Sequence, residues 1–221
     1  MHELNQEADP QRTPFELVHR GILRNLYEGR FAPGQRLAAP DLMREFGVGR
    51  GTIREILQRL ASTGVVTITP NKGAYIRRLS RTGVISVLDV VEVLLGLAAR
   101  GAATASSALK TDLQQRLLEI QEIKVDFDFN RFLAAREEYY RLLVSSQGNF
   151  ELQRVFPAAQ VQLMRLQLRP FDRAADSVDM ADYRDLHDAI MAGNADLAEQ
   201  AGREHVRRTR DKVLMLPDRA F

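Results

Sequence analysis

Gly47-Val48-Gly49-Arg50-Gly51-Thr52-Ile53-Arg54-Glu55-Ile56-Leu57 sets a glycine-broken turn in front of an amphipathic helix. From Arg50 onward, Ile53, Ile56, Leu57 and Leu60 recur at three- and four-residue steps, which gives this helix one core-facing stripe. Arg50, Arg54 and Gln58 lie one above another on a different face. Just upstream, Asp41-Leu42-Met43-Arg44-Glu45-Phe46 reads as a short helix with Leu42, Met43 and Phe46 apolar, and Gly47 suits the left-handed conformation that ends it. Two short helices joined by a tight turn containing glycine make a helix-turn-helix. Its second helix would enter the major groove of DNA, the N-terminal residues meeting base edges and phosphates.

The flanking segments extend the pattern. Val65-Val66-Thr67-Ile68-Thr69 is a β-branched run, Pro70-Asn71-Lys72-Gly73 is turn chemistry, and Ala74-Tyr75-Ile76-Arg77 is a second short strand. Together they predict a β-hairpin wing whose tip carries Lys72 beside Gly73, where a cation and a small residue can approach a phosphate or the minor groove. On the other side, Phe15, Val18, Ile22, Leu23 and Leu26 follow helical spacing behind Pro14, a residue suited to a first helical position. Gly29 stops that helix, and the stretch from Phe31 to Leu37 reads as a turn leading into the helix pair.

These residues resemble the winged-helix domain of GntR-type bacterial transcription regulators. The family pattern Gly-x-(Leu/Phe)-x-Pro-Gly-x-Arg-Leu is met from Gly29 to Leu37, and its Gly-Val-Ser-Arg segment from Gly47 to Leu57, with Leu60, Gly64 and Gly73 in register. The resemblance covers roughly residues 14–78. It implies DNA contact for Arg36, Arg50 and Arg54, and adds Thr52, Lys72 and Gly73 as candidates. Arg44 and Arg59 read instead as ordinary solvated helix surface. The chain departs from the family at Gly49, where Ser or Thr is usual, and at Gly51, where a larger residue is usual. Glycine caps a helix less well than a hydroxyl does but still tolerably, so DNA binding is expected to survive.

Charge is divided in the same way. Residues 1–82 hold 13 Lys and Arg against 8 Asp and Glu, a net of +5, whereas residues 83–221 hold 18 against 21, a net of −3. A chain of overall charge +2 thus has a basic front and an acidic rear, and only the front suits a polyanion. The 221 residues are 45% hydrophobic and 27% charged, as expected for two modest globular domains. There is no cysteine, which removes disulfides, thiolate metal sites and cysteine nucleophiles. No run of eighteen consecutive apolar residues and no apolar signal-peptide core is present, so a cytoplasmic protein without a membrane partner is expected.

The expected organisation is a polar flexible arm over residues 1–12, a winged helix-turn-helix over 13–78, a short basic linker over 79–83, and an all-α domain over 84–216. About six helices are expected in the last: from Ile85 to roughly Ser106, Lys110 to Val125, Phe129 to Gln147, Glu151 to Leu166, Met180 to Ala192, and Asp196 to Leu214. Asn149 should cap the fourth, and Gly193-Asn194 should break the chain before the last. The fold class is therefore mainly α, with a winged helix followed by an antiparallel bundle, an architecture that can hold a ligand between facing helices.

The order of elements is similar to the FadR-type subfamily of the same regulators, with Ser146-Gln147-Gly148-Asn149 and Ala189-Ile190-Met191-Ala192-Gly193-Asn194 as matching segments. That resemblance implies a C-terminal domain that binds a small effector, a homodimer joined through the helical domains, and a palindromic DNA operator whose half-sites each take one recognition helix. It also implies a metal site made by one Asp and three His. Counted from Asn149 and Ala189, the four ligand positions fall here on Arg136, Tyr140, Tyr183 and His205. His187 lies four residues beyond the third of them, out of register. Arginine donates no lone pair and tyrosine would have to lose a proton, so no metal or other cofactor is expected.

Arg136 shares a stripe with Phe129, Phe132, Tyr140 and Leu143, the face that should point inward. An inward arginine is costly unless paired. Three partners suggest themselves: Glu92, set among Val91, Val93 and Leu95; a helix C-terminus; or an anionic ligand. In the last case Arg136 would bind a carboxylate or phosphate bidentately, with Tyr140, Tyr183 and His205 as further donors and Glu92 in the same pocket. Taken singly, Tyr183 and His205 also read as satisfied core residues. Two other classes stay open: an effector-independent architectural DNA binder, and an enzyme built around His187 with Asp185 and Asp188, for which no phosphate loop or nucleophile elbow is present.

Overall fold

The computed structural model of the chain describes residues 13–123, 128–171 and 180–221. The expected N-terminal arm and the expected helix end at Val125 lie outside them. The chain forms two compact units, residues 1–77 and 78–221.

In the first unit, α1 (Pro14–Tyr27) opens with a capping box, in which the Thr13 hydroxyl accepts from the Glu16 N–H and the Glu16 carboxylate accepts from the Thr13 N–H. Gly29, at φ 71°, turns the chain away after it. A two-residue strand β1 (Arg36–Leu37) precedes α2 (Ala39–Phe46), which ends on Gly47 in the left-handed conformation at φ 66°. Next come α3 (Arg50–Ser62), β2 (Val66–Thr69) and β3 (Gly73–Ile76). Val18, Ile22, Leu26, Leu42, Ile53, Ile56, Leu60 and Ile76 form its core. Gly21 lets α1 approach the Phe46 ring, since a Cβ there would lie 2.3 Å from that ring.

The wing hairpin is as expected, but it belongs to a three-stranded antiparallel sheet in the order β1-β3-β2. The segment read as a turn through Leu37 supplies its third strand, with Arg36 opposite Tyr75 and Leu37 opposite Ala74. Two residues are too few to show the alternation by which a strand is recognised.

The second unit contains α4 (Arg81–Ala103), α5 (Ser107–Ile123), α6 (Phe129–Ser145), α7 (Phe150–Val155), α8 (Ala158–Leu168), α9 (Met180–Met191) and α10 (Ala195–Leu214). Asn149 caps α7 and Asn194 caps α10, each side chain accepting from the backbone N–H three residues on. The single helix expected from Glu151 to Leu166 is two, because Pro157 has no N–H to continue α7 and pushes Phe156 to ψ 122°.

The long helices α4 and α10 pack together through small residues. A Cβ on Gly202 would lie 3.0 Å from the Leu95 carbonyl and 3.1 Å from the Ala99 Cβ, so the helix backbones can come this near only with glycine there. Ion pairs from Glu92 to Arg207 at 2.9 Å and from Asp89 to Arg210 at 3.2 Å line the same contact. An 18-residue window of α4 reaches a mean hydropathy of 1.9, long and apolar enough to cross a membrane by composition. Its charged residues and its packing on α10 give it a role within the bundle.

The residues expected to form a short basic linker are held in place. Leu79 is buried, and Gln167 of α8 binds it on both sides, accepting from its N–H at 2.8 Å and donating to its C=O at 2.8 Å. The same amide donates to the Ala220 carbonyl at 3.0 Å, which ties the chain's C-terminal turn to this strap. Arg81 already lies in α4 and stacks on the Phe221 ring at 4.4 Å.

Candidate functional site

The residues singled out in the sequence fall into two groups, one in each unit. In the first, α3 begins at Arg50 on a Gly49 cap that offers no side-chain acceptor. The first-turn N–H groups are therefore left for an outside partner, and the positive end of the helix dipole lies among them. A Cβ on Gly49 or Gly51 would meet nothing within 4 Å, so packing does not demand either glycine. What they provide is a bare backbone that a phosphate can approach.

Arg36, Arg50, Arg54 and Lys72 are exposed and have no ion pair or hydrogen bond to their side chains among the described residues. Thr52 is half-buried beside them in sequence. Arg36 lies near the wing glycine, its Nε 3.6 Å from where a Cβ of Gly73 would sit. Gly73 at φ 103° and Asn71 at φ 62° shape the tip, and the Tyr75 hydroxyl donates to the Lys72 carbonyl at 3.1 Å. The two arginines read as ordinary surface are occupied: Arg44 pairs with Asp41, and Arg59 lies over the Phe15 ring at 5.3 Å. Free cations on one helix start and one wing are what a polyanion recognises.

In the second unit, Arg136, Tyr140, Tyr183 and His205 are brought together from α6, α9 and α10, and all are buried. The Arg136 Nε donates to the Tyr183 hydroxyl at 3.1 Å, and its guanidinium lies 4.4 Å from the centre of the Tyr140 ring. The His205 Nδ1 is 3.2 Å from the Asp182 carbonyl oxygen, which can only accept. Nδ1 therefore carries the proton, Nε2 carries the lone pair, and the Tyr140 hydroxyl donates to it. Burial and the Arg136 cation push the His205 pKa down to about 4, so the ring is neutral. The Tyr140 hydroxyl is held well above its ordinary range, first by burial.

These contacts correct two expectations. Glu92 is not the partner of Arg136: its carboxylate accepts from Arg207, Nε at 3.0 Å, because it sits on the α4 face turned to α10. Tyr140 and His205 are not spare donors, since the proton of each is already given away, to His205 and to the Asp182 carbonyl. The Arg136 guanidinium itself interacts with the hydroxyls of both Tyr183 and Tyr140. Arg136 has no carboxylate within ion-pair distance among the described residues.

Three residues near this cluster were missed in the sequence. Tyr139 is fully buried, with its ring 5.5 Å from that of Tyr140 and 6.4 Å from that of Tyr183. Asp182 supplies the carbonyl that fixes the His205 tautomer. Although burial pushes the Asp182 carboxyl up, Arg208 at 2.6 Å and Lys212 at 3.3 Å hold it below its ordinary range. Arg165 on α8 is close enough for its charge to act on both Tyr140 and His205. The adjacency of Tyr139 and Asp182 to named positions was the available signal. Arg165 offered none.

Of the residues weighed for an enzyme, Asp188 is close enough for its charge to act on His187, but His187 and Asp185 each bond to another residue. His187 Nε2 bonds to the Gln114 carbonyl oxygen at 2.7 Å, and Asp185 pairs with Arg208 at 2.9 Å. Among the described residues no group of three or more His, Cys, Asp or Glu could hold a metal ion.

Comparison with known proteins agrees with both units. Residues 16–76 match the bacterial regulatory proteins of the gntR family, and residues 86–208 match the FCD domain. A probable D-xylose utilization operon transcriptional repressor from Paenarthrobacter nicotinovorans is 25% identical over 190 residues, spanning 84% of this chain and 82% of that protein. The HTH-type transcriptional repressor RspR of Escherichia coli K12 is 20% identical over 213 residues, spanning 94% and 92%. The solved structure of E. coli McbR/YncC shares the fold with a TM-score of 0.80 at 15% identity, covering 92% of this chain and 98% of its own. The chain belongs to the gntR family of bacterial transcription regulators, with a winged helix-turn-helix domain followed by an FCD domain.

Proposed function

We propose that the protein is a repressor that binds a palindromic operator as a homodimer and is controlled by a small anionic effector held by Arg136. The observation that carries the effector is the Arg136 guanidinium itself, 9% exposed and without a carboxylate partner among the described residues. A buried cation whose partners among the described residues are the Tyr183 hydroxyl and the Tyr140 side chain, with no carboxylate, is poorly compensated, and a carboxylate or phosphate would complete it. No metal enters this reading, because the donor set offers one neutral imidazole, two phenols and a guanidinium.

A second copy of the chain is the partner that fits α4. Val90, Val93 and Leu97 are exposed at 50%, 50% and 38% and follow one another at helical spacing, so they form an apolar stripe beside the face that meets α10. Two such stripes related by a two-fold axis would bury each other and present two recognition helices to the two half-sites. The naming of relatives as repressors supports the direction of control. An effector would act by favouring one placement of the paired winged helices over another.

Arg50→Ala and Arg54→Ala should each weaken operator binding about 10- to 100-fold, or about 1–3 kcal/mol, in a fluorescence-anisotropy titration at fixed salt. Arg44→Ala should bind as wild type does, because Asp41 already occupies that side chain. Equal binding by either of the first two would remove it from the interface.

For the effector, a thermal-shift screen of simple carboxylates and phosphates should find compounds that raise the melting temperature of wild type but not of Arg136→Gln. Equal shifts in both proteins would place the anion elsewhere. No shift in either would favour an architectural DNA-binding protein without an effector.

A further inference from the structure

Every residue that joins the two units is bonded to one of them. Arg77 ends the first unit, with its N–H donating to the Val65 carbonyl at 2.9 Å and its guanidinium to the Gly64 carbonyl at 3.5 Å. Leu79, two residues on, is buried with both backbone groups on the Gln167 amide, and Ser80 already caps α4.

The segment from Leu214 to Phe221 closes over this strap from the other end of the chain. The Arg78 Nε donates to the Phe221 main-chain oxygen at 3.1 Å, and its Nη2 to the Arg219 carbonyl at 3.4 Å. Arg81 donates to the Leu214 and Leu216 carbonyls at 3.2 and 2.6 Å, pairs with the Asp218 carboxylate at 2.9 Å and stacks on the Phe221 ring. Between the two arginines, the Gln167 amide that holds Leu79 also donates to the carbonyl of Ala220, a residue 0% exposed. Past α10 the segment holds only a single 3₁₀ turn, Asp218–Ala220, so it can leave its seat without separating any pair of packed helices. Its departure would take both acceptors from Arg78 and open the Leu79 bonds to water.

We infer that residues 216–221 are a latch over the strap, and that the latch sets the length of the tether between the winged helix and the helical domain. With the latch closed, no residue of the tether is free. With it open, Arg78 to Ser80 join the tether, each adding up to about 3.5 Å, or roughly 10 Å of reach in all. Resting on the dimer and palindrome reading above, that reach matters because it equals about three base pairs at about 3.4 Å each. A closed latch makes half-site spacing a strict condition of binding, and an open one relaxes it while lowering the effective concentration of the second winged helix at its half-site. The latch therefore selects operators by spacing, where Arg50 and Arg54 select by contact.

The test uses Ala220→Glu, whose carboxylate cannot fit where Ala220 is buried, and Phe221→Ala, which removes the ring under Arg81. Met215→Ala is the control, because that side chain is 88% exposed. Limited trypsin digestion of the free full-length proteins, at a temperature where circular dichroism shows all four folded, reads the latch directly, since trypsin cuts after arginine. Cleavage after Arg78 or Arg81 should be about tenfold faster or more in the two latch variants than in wild type and the control. Anisotropy titrations with operators whose half-sites are moved apart by one to three base pairs read the consequence. Wild type should lose about tenfold or more in affinity at two added base pairs, and the latch variants about threefold or less.

Equal cleavage in wild type and both latch variants would overturn the latch. Faster cleavage with an unchanged spacing preference would overturn its control of operator choice. A wild type that binds an isolated half-site as tightly as the palindrome would sink the dimer reading and the spacing control with it, whereas the digestion judges the latch by itself.

Discussion

Gln167→Leu is expected to lower the stability of the helical domain by about 3–5 kcal/mol. The shape of the side chain is nearly preserved, so the loss comes from hydrogen bonding. Three buried bonds end on this amide: the Leu79 N–H, the Leu79 carbonyl and the Ala220 carbonyl. The leucine would leave all three backbone groups without a partner, each at about 1–3 kcal/mol. In a domain of this size that corresponds to a fall in melting temperature of roughly 10–15 °C. Urea unfolding at fixed pH measures it, and a loss below about 1 kcal/mol would mean that other groups or water replace the amide. Gln167→Glu should be at least as harmful, because a carboxylate accepts only and would face two carbonyl oxygens. The Leu79 strap directly follows the DNA-binding domain in the chain, so this one amide also fixes where the helical domain begins.

The winged helix could be read from sequence because its signals are local. Gly47 needs a left-handed conformation, Ile53, Ile56, Leu57 and Leu60 mark a buried stripe, and the wing turn is written in Pro70 to Gly73. Each of these depends on residues no more than a turn or two away. β1 depends instead on pairing with β3, more than thirty residues later, and two residues carry no period of their own. Pro157 was a local signal too, and its missing N–H decides the α7/α8 break where apolar spacing alone suggested one helix.

In the helical domain, counting from Asn149 and Ala189 located Arg136, Tyr140, Tyr183 and His205, and the structure brings these four into contact. The directions of their protons could not be read, because they follow from the Asp182 carbonyl that happens to face His205. Nor could the partner of Glu92, since Arg207 reaches it only once α10 lies along α4. That the Tyr139 hydroxyl and the His187 Nδ1 have no hydrogen-bond partner among the described residues is a property of a packed interior and has no signature in a chain.

Acidification should cost this protein stability in a definite window, and His205 should carry the largest share. Its pKa falls from an ordinary 6.5 to about 4 on folding, so the unfolded chain binds the proton more readily than the folded one. The contribution is absent above pH 6.5, grows as the pH falls, and reaches about 3 kcal/mol near pH 4. Below that both states are protonated and the loss levels off. His19 and His187 are lowered by burial as well and add in the same direction, whereas Asp182, held down by Arg208 and Lys212, acts only at lower pH. Urea midpoints measured across this range should fall steeply for wild type and distinctly less for His205→Gln, and parallel curves would refute the assignment. The cause is local: a second proton on His205 would remove the acceptor for the Tyr140 hydroxyl and set an imidazolium beside the Arg136 guanidinium. An anion on Arg136 offsets that repulsion and raises the His205 pKa back toward its ordinary value. A bound carboxylate should therefore flatten the acid limb of wild type and leave that of Arg136→Gln unchanged, which joins the pH profile of the fold to the occupancy of its pocket.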